Sequence, residues 1–215
     1  MVFAHDTEAA LLAAVELVNS AEDPDTLTEP AQLAEFFHRH DYTGVRSGDA
    51  AELAAVRALR PALRELLTSD RDSAVTLVNR ILATHRAVPQ LVRHGEVDYH
   101  VHAVPASAAL DVRIAVETAM AMIDVIRADD LTRLSVCADD SCAGLVLDLS
   151  RNRSRRYCST ACGNRNAVAA YRARQRGPGS APSGTASPPR DTCPRIPRAA
   201  PTPPRRAVRA GAGAV

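Results

Sequence analysis

Residues 133–176 read RLSVCADDSCAGLVLDLSRNRSRRYCSTACGNRNAVAAYRARQR and contain four cysteines in two closely spaced pairs. Four residues separate Cys137 from Cys142, three separate Cys158 from Cys162, and fifteen lie between the pairs. Four thiolates complete the tetrahedral shell of a structural zinc, and the gap is long enough for a hairpin that turns one pair to face the other. The spacing therefore predicts one structural Zn²⁺ on these four cysteines, which folds a module too small for its own core.

The predicted cellular compartment also favours metal binding by these cysteines. The N-terminus is acidic where a signal peptide would be positive, and two carboxylates interrupt the most apolar stretch, residues 114–126. We therefore expect a cytoplasmic protein without membrane contact, where thiols stay reduced. A redox pair and unrelated buried cysteines are the alternatives to zinc, and the fifth cysteine, Cys193, is predicted to be a free thiol.

Charge is distributed unevenly along the chain. Residues 1–132 hold 11 arginines against 21 acidic residues, whereas residues 133–215 hold 15 arginines against 4 acidic residues. No acidic residue occurs between Leu149 and Arg190. An acidic body joined to a basic arm favours a polyanionic partner, and a solvated arginine-rich tail is the alternative.

The basic residues surround the second cysteine pair and suggest a DNA-binding surface. Ser159 or Thr160 can cap a helix over residues 161–176, on which arginines form one stripe and Val168 with Tyr171 form the next. We expect the apolar stripe to pack on the zinc module while the arginines contact phosphates and Asn164 or Arg165 reaches base edges. Alternatively, the arginines serve solubility or bind the acidic body. The predicted nucleic-acid-binding residues are Arg151, Arg153, Arg155, Arg156, Asn164, Arg165, Arg172 and Arg176.

The remaining chain predicts a mainly α fold with a small β-hairpin, followed by a disordered tail. Aromatic residues make up only 3% of the chain, so the core must be built from Ala, Leu and Val. Apolar residues recur at helical spacing between residues 7 and 127. We predict a capped helix start at Asp49, a kink or split at Pro61, a helix over residues 73–85, a hairpin over 89–104 and a central buried helix over 107–127. Residues 177–215 are rich in proline and glycine and predict disorder.

Two groups of residues in the N-terminal part are candidates for ligand binding. Asn19 and Arg57, with Arg60 and Arg64, could line a pocket for an anionic effector, although ion pairs are the alternative. His94, His100 and His102 in the hairpin could bind a metal or a ligand, or form an ordinary polar face. The sequence contains no catalytic motif, so we do not expect an enzyme.

The second cysteine pair and the loop before it resemble the CGNR zinc-finger family. The resemblance rests on Cys162-Gly163-Asn164-Arg165, which follows the basic stretch 151–159. In that family the finger lies C-terminal to a mostly helical ABATE domain, a predicted stress-induced transcription regulator. Leu17-Val18-Asn19 and the helix at 57–67 resemble parts of that domain more loosely. The resemblance implies zinc on the four cysteines and DNA binding through the finger. Tyr157 stands where the family often has Trp, and the spacing to the fourth cysteine is shorter.

These observations predict a protein of three parts. Residues 1–132 form an ABATE-like helical domain that senses a small-molecule effector or forms a homodimer. Residues 133–176 form a treble-clef-like zinc finger that binds DNA, and residues 177–215 form the tail. The predicted function is a bacterial transcription regulator. The alternative is a zinc-stabilised protein–protein interaction scaffold that does not contact DNA.

Overall fold

A computed structural model describes residues 2–94 and 97–175, which form one compact unit. The predicted tail, Cys193 and Arg176 lie outside the described residues. The elements follow in chain order: α1 (His5–Asn19), α2 (Pro30–Arg39), α3 (Ala50–Ala58), α4 (Arg60–Thr68), α5 (Arg71–Thr84), β1 (Gln90–His94), β2 (Val97–His102), α6 (Leu110–Arg127), a 3₁₀ turn (Leu131–Arg133), β3 (Leu134–Val136), β4 (Leu145–Leu147) and α7 (Thr160–Gln175).

The core is built around α6, as the sequence predicts for its central helix. This helix packs against α1, α3 and α5, and α1 also packs against α4. Most of the fully buried side chains are aliphatic, so burial of Leu, Ile and Val supplies the main stabilisation of the fold. The largest of them are Leu11, Leu17, Leu33, Leu63, Leu66, Leu110, Ile114 and Met122.

The helix boundaries follow local caps. The Asp49 side chain accepts a hydrogen bond from the Glu52 backbone N–H, which confirms the predicted start of α3. Pro61 stands in the first turn of α4 and divides the predicted long helix into α3 and α4. The helix predicted from residue 73 begins at Arg71, because Asp70 caps it two residues earlier than the apolar pattern indicates.

The β-hairpin is confirmed, and the charged residues that recur along one stripe of α6, Arg113, Glu117 and Asp124, are buried or half-buried. Strands β1 and β2 pair antiparallel, with Val92 opposite His100. Arg113 is only 2% exposed. Glu117 and Asp124, on the same stripe, are half-buried and line a partly open cavity.

The zinc-finger residues share the core of the helical domain. Strands β3 and β4 pair antiparallel, with Val136 opposite Leu145. Leu145 and Leu147 are about 2% exposed and belong to the same buried cluster as α1 and α6. The boundary predicted at residue 132 therefore crosses a continuous core, and the division into two domains stays a prediction.

Candidate metal centre

Two short loops bring the four cysteines together. Cys137 and Cys142 lie in the β3–β4 loop, where the Cys137 N–H donates to the Gly144 carbonyl. Cys158 precedes α7 and Cys162 lies in its first turn. The second pair thus lies at a helix start, which confirms the treble-clef-like arrangement expected from the sequence.

The four sulfur atoms have the spacing of a tetrahedral metal shell. All four lie within 4.8 Å of one another, with 3.5 Å between the sulfurs of Cys142 and Cys158 and 3.6 Å between those of Cys158 and Cys162. Thiolates at the usual zinc–sulfur distance would be about 3.8 Å apart on the edges of a tetrahedron. The donor set therefore fits one structural zinc ion, whose closed shell leaves no position for a substrate.

Neighbouring groups donate hydrogen bonds to these sulfurs. The backbone N–H groups of Gly144 and Cys158 donate to Cys142 Sγ and Cys137 Sγ, each at 3.4 Å. Ser159 Oγ donates to Cys162 Sγ at 3.4 Å, and Arg165 Nη2 does so at 3.1 Å. Such outer contacts orient metal ligands and stabilise their negative charge.

The environments of the thiols differ in their effect on ionisation. The hydrogen bond from Ser159, which exceeds the opposing effect of burial, lowers the pKa of Cys162. Burial raises the pKa of Cys142 and of Cys158, and the neighbouring thiols raise that of Cys158 further. A divalent cation offsets this cost because it stabilises all four thiolates at once.

Asp139 and Gly144 support the centre, although the cysteine pattern does not indicate either residue. Asp139 accepts hydrogen bonds from Ser141 and forms an ion pair with Arg165 at 2.7 Å. A Cβ atom at Gly144 would lie 3.1 Å from Cys158 Sγ, so a side chain there would crowd the sulfurs. Both roles depend on contacts across the fold, and neither residue type signals them.

Three of the predicted DNA-binding arginines have partners inside the protein. Arg153 pairs with Asp130 at 2.5 Å. Arg155 donates to the backbone carbonyls of Leu147, Tyr157 and Cys158. Arg165 is occupied by Asp139 and a cysteine sulfur, as described above. These three side chains therefore have structural roles first, which arginine content alone did not indicate.

The other predicted contacts are exposed. Arg151, Arg156, Asn164 and Arg172 are exposed, and none has a side-chain partner within residues 2–94 and 97–175. Arg174, which was not among the predicted contacts, has the same environment. The arginines within residues 151–175 are therefore all exposed, but one set binds protein groups and the other has no side-chain partner within the described residues.

The predicted packing of α7 is wrong. Val168 and Tyr171 are 47% and 57% exposed, and Cys162 is the only buried residue of this helix. The finger is held to the helical domain by its β-strands instead, so the apolar stripe on α7 is not needed for packing.

The predicted effector residues contact protein groups instead. Asn19 forms two hydrogen bonds with the backbone of Leu145. Its Nδ2 donates to the Leu145 carbonyl at 2.8 Å, and its Oδ1 accepts from the Leu145 N–H at 2.6 Å. Arg57 and Arg60 bind Asp25, and the hydrogen bond from Arg60 lowers the pKa of that carboxyl to about 2. The ion-pair alternative describes these arginines, and Asn19 links α1 to the finger.

A second arginine contact extends this link. Arg64 Nη1 donates to the Ala143 carbonyl at 2.7 Å, and Nη2 pairs with Glu22 at 2.6 Å. Ala143 follows the ligand Cys142 directly. The helical domain therefore holds the metal-binding loop through Asn19 and Arg64.

We predict that Asn19→Ala lowers the free energy of unfolding by about 2–3 kcal/mol, because it leaves both backbone groups of buried Leu145 without partners. Urea denaturation of the zinc-loaded protein measures the change. Asn79→Ala, at an exposed position on α5, is the matched control and should change stability by less than about 0.5 kcal/mol. Equal effects of the two substitutions would contradict a stabilising role of the hydrogen bonds between Asn19 and Leu145.

The predicted hairpin site is placed only in part. His100 Nε2 and His102 Nε2 lie 3.0 Å apart, and His102 Nδ1 lies 3.4 Å from Glu117. The side chain of His94 lies outside the described residues. Within the described residues, the four-cysteine cluster is the one group that could hold a metal through three or more ligands.

A helical body joined to a four-cysteine centre defines a zinc-finger protein with a helical N-terminal part. Comparison with protein families agrees: the model "CGNR zinc finger" matches residues 133–175, and the model "ABATE: Putative stress-induced transcription regulator" matches residues 12–129. The second match covers more than half of the chain, and the protein belongs to the ABATE family. A search of curated proteins found no match. None of the described helices is long and apolar enough to cross a membrane.

Proposed function

We propose that this protein is a transcription regulator, not an enzyme, that binds DNA through its zinc finger while its helical domain senses a small molecule. The observation that carries the proposal is the set of exposed arginines whose side chains have no protein partner in the described part of the chain: Arg151, Arg156, Arg172 and Arg174. Exposed guanidinium groups on a zinc-stabilised module can bind DNA phosphates and displace their counterions.

The position of these arginines supports the same function. Arg151 and Arg156 bracket the loop that precedes α7, and Arg172 and Arg174 lie in its last turns. The loop is anchored by Asp148, which is 4% exposed and accepts hydrogen bonds from Ser150 and the Arg155 N–H. The arginines of the anchored loop and those of α7 therefore provide two groups of positive charges that can contact DNA phosphates.

We predict that Arg151→Ala combined with Arg172→Ala weakens binding to a mixed-sequence DNA duplex by about 10- to 100-fold at low salt. The slope of log affinity against log salt should fall by about 1.8, because two phosphate contacts are lost. Fluorescence anisotropy over a salt series measures both quantities.

Arg80→Ala is the matched control for this double substitution. Arg80 lies on α5, is exposed and has no side-chain partner within the described residues, so its loss changes net charge away from the finger. It should leave both affinity and salt slope unchanged. Equal losses from the two proteins would indicate a general charge effect and contradict a DNA surface on the finger.

The exposed apolar pair on α7 favours a second candidate function. Val168 and Tyr171 could contact a partner protein, with the zinc finger acting as a scaffold. Val168→Ser with Tyr171→Ser should abolish a protein complex in that case and leave DNA affinity unchanged. Absence of DNA binding by the unsubstituted, zinc-loaded protein would favour this scaffold.

A further inference from the structure

The helical domain contains two neighbouring cavities with different linings. One has a volume of about 390 Å³ and the other about 310 Å³, and both are within the size range of small-molecule sites. They share Thr43 and His102. Neither cavity is lined by Asn19 or Arg57, the residues that the sequence suggested for effector binding.

The lining of the larger cavity combines basic and aliphatic residues. Arg86, Arg113, His85 and His102 contribute its ionisable groups, and none of the described residues that line it is acidic. Its remaining wall is mostly aliphatic: Val88, Val92, Ala103, Val104, Pro105 and Ala106.

Arg113 is a buried cation whose hydrogen-bonding capacity is not fully used. Its Nε donates to the Ala108 carbonyl at 3.1 Å and its Nη2 to the Val45 carbonyl at 2.6 Å. Its Nη1 is buried and has no hydrogen-bond partner among the residues that the structure describes. A buried guanidinium of this kind is costly unless an acceptor or a negative charge lies close to it.

Carboxylates of the protein compensate Arg113 only at longer range. Glu117 and Glu52 raise its pKa, but burial has the larger effect and lowers it. Neither carboxylate forms an ion pair with Arg113 within 4.0 Å in the described part of the chain. Arg86, which follows α5 with a φ of 49°, is exposed and has no side-chain partner within the same residues.

The smaller cavity differs from the larger one in its carboxylates. Asp6, Asp41, Glu117 and Asp124 line it, and its basic lining residues in the described part of the chain are Arg127 and four histidines. An anion therefore finds complementary charge in the larger cavity and repulsion in the smaller one. The contrast distinguishes the two spaces by the charge of the molecule that each can accept.

We propose that the larger cavity binds a small organic anion, with the anionic group at Arg86 and Arg113 and an apolar body against Val92, Val104 and Pro105. A planar guanidinium suits carboxylate and phosphate groups alike. The inference rests on the proposed sensing role of the helical domain and names the site and chemical class of the effector.

Helix α6 connects this site to the finger. Arg113 lies in its first turns, and the 3₁₀ turn that leads into β3 follows shortly after its last residue, Arg127. A ligand that changes the position of Arg113 acts on the same helix that carries the finger, which gives binding a route to DNA affinity.

Benzoate, hexanoate and phenyl phosphate are suitable probes, titrated into the full zinc-loaded protein by calorimetry. Benzamide is the matched neutral control and benzylamine the cationic one. At least one of the three anions should bind saturably and raise the melting temperature, and the controls should not. Arg86→Ala should weaken that binding about tenfold, since it removes a charge-assisted contact, whereas Arg80→Ala, on α5 and outside the cavity, should not.

Arg113→Lys keeps the positive charge but loses the planar set of guanidinium N–H donors. Weaker anion binding by this variant, at unchanged zinc content, would support the site. Absence of binding by all three anions, equal binding of benzamide, or equal effects of the Arg86 and Arg80 substitutions would overturn it. The DNA affinity of the same samples without probe tests the proposed function separately. Anion binding that leaves DNA affinity unchanged would support the site and contradict sensing.

Discussion

Cys158→Ser is expected to release the zinc ion and to unfold the finger while the core of the helical domain persists in weakened form. The four sulfurs lie within 4.8 Å of one another, so the loss of one ligand leaves three thiols clustered without a complete metal shell. Structural zinc contributes an apparent 10–16 kcal/mol or so to the folding of small fingers. The finger has few buried residues of its own beyond the cysteines, Val146 and Tyr157 and cannot replace that contribution.

The damage should extend beyond the finger. Leu145 and Leu147 of β4 belong to the main core, and Asn19 holds Leu145 directly. Loss of the metal should therefore lower the melting temperature of the whole chain as well as its zinc content. Elemental analysis and calorimetry measure the two effects together.

Cys193→Ser is the matched control, because it removes a thiol from the predicted tail and not from the cluster. It should keep about one zinc per chain, as the unmodified protein does. Chelation of the unmodified protein should reproduce the Cys158→Ser result. A Cys158→Ser protein that retains zinc and full thermal stability would contradict the four-cysteine centre.

The zinc site could be predicted from sequence because metal ligation constrains both residue type and spacing. Two cysteine pairs separated by a hairpin-length gap leave few other arrangements, and the sequence predicted the centre that the structure builds from Cys137, Cys142, Cys158 and Cys162. The helices were similarly accessible, since apolar spacing and caps such as Asp49 are local signals.

The roles of the arginines could not be predicted because they depend on partners distant in sequence. Arg155 lies in the same basic run as Arg156, yet Arg155 holds three carbonyls of the finger while Arg156 faces solvent. Arg113 likewise belongs to a polar stripe by periodicity, and only the packing of the 45–46 loop shows that it is buried. Charge patterning thus indicates how much basic surface exists, but not which guanidinium groups remain available.

Asn19 illustrates the same limit from the opposite side. Its place beside Leu17 and Val18 marks it as unusual, since a polar residue ends an apolar helix face. From the sequence we predicted that Asn19 contacts an effector. In the structure, both polar atoms of its amide form hydrogen bonds with the backbone of Leu145, 126 residues away. A polar residue at a structural junction and one at a ligand site have the same sequence pattern.

Arg133→Ala is expected to lower the free energy of unfolding by about 3–5 kcal/mol, because it breaks a buried ion pair by removing one partner. Arg133 and Asp130 are 7% and 9% exposed, and Arg133 Nε lies 2.8 Å from Asp130 Oδ2. The same guanidinium donates to the carbonyls of Asp148 and Ser150, at 3.0 Å and 3.1 Å, and so ties the end of α6 to the basic loop of the finger. The hydrogen bond from Arg133 also lowers the pKa of Asp130.

Arg153→Ala is the matched control, because Arg153 pairs with the other oxygen of Asp130 but is half exposed. Its loss should cost about 1 kcal/mol or less, since solvent screens exposed pairs. Urea denaturation of both zinc-loaded variants measures the difference. Combining Arg133→Ala with Asp130→Ala should recover part of the loss, because the buried carboxylate, which would otherwise keep only the half-exposed Arg153 as its partner, is then removed as well. If the two arginine substitutions cost the same, the connection between α6 and the finger does not depend on a buried charge. If instead Arg133→Ala alone is severe, that pair holds the finger to the helical domain together with the contacts of Asn19 and Arg64.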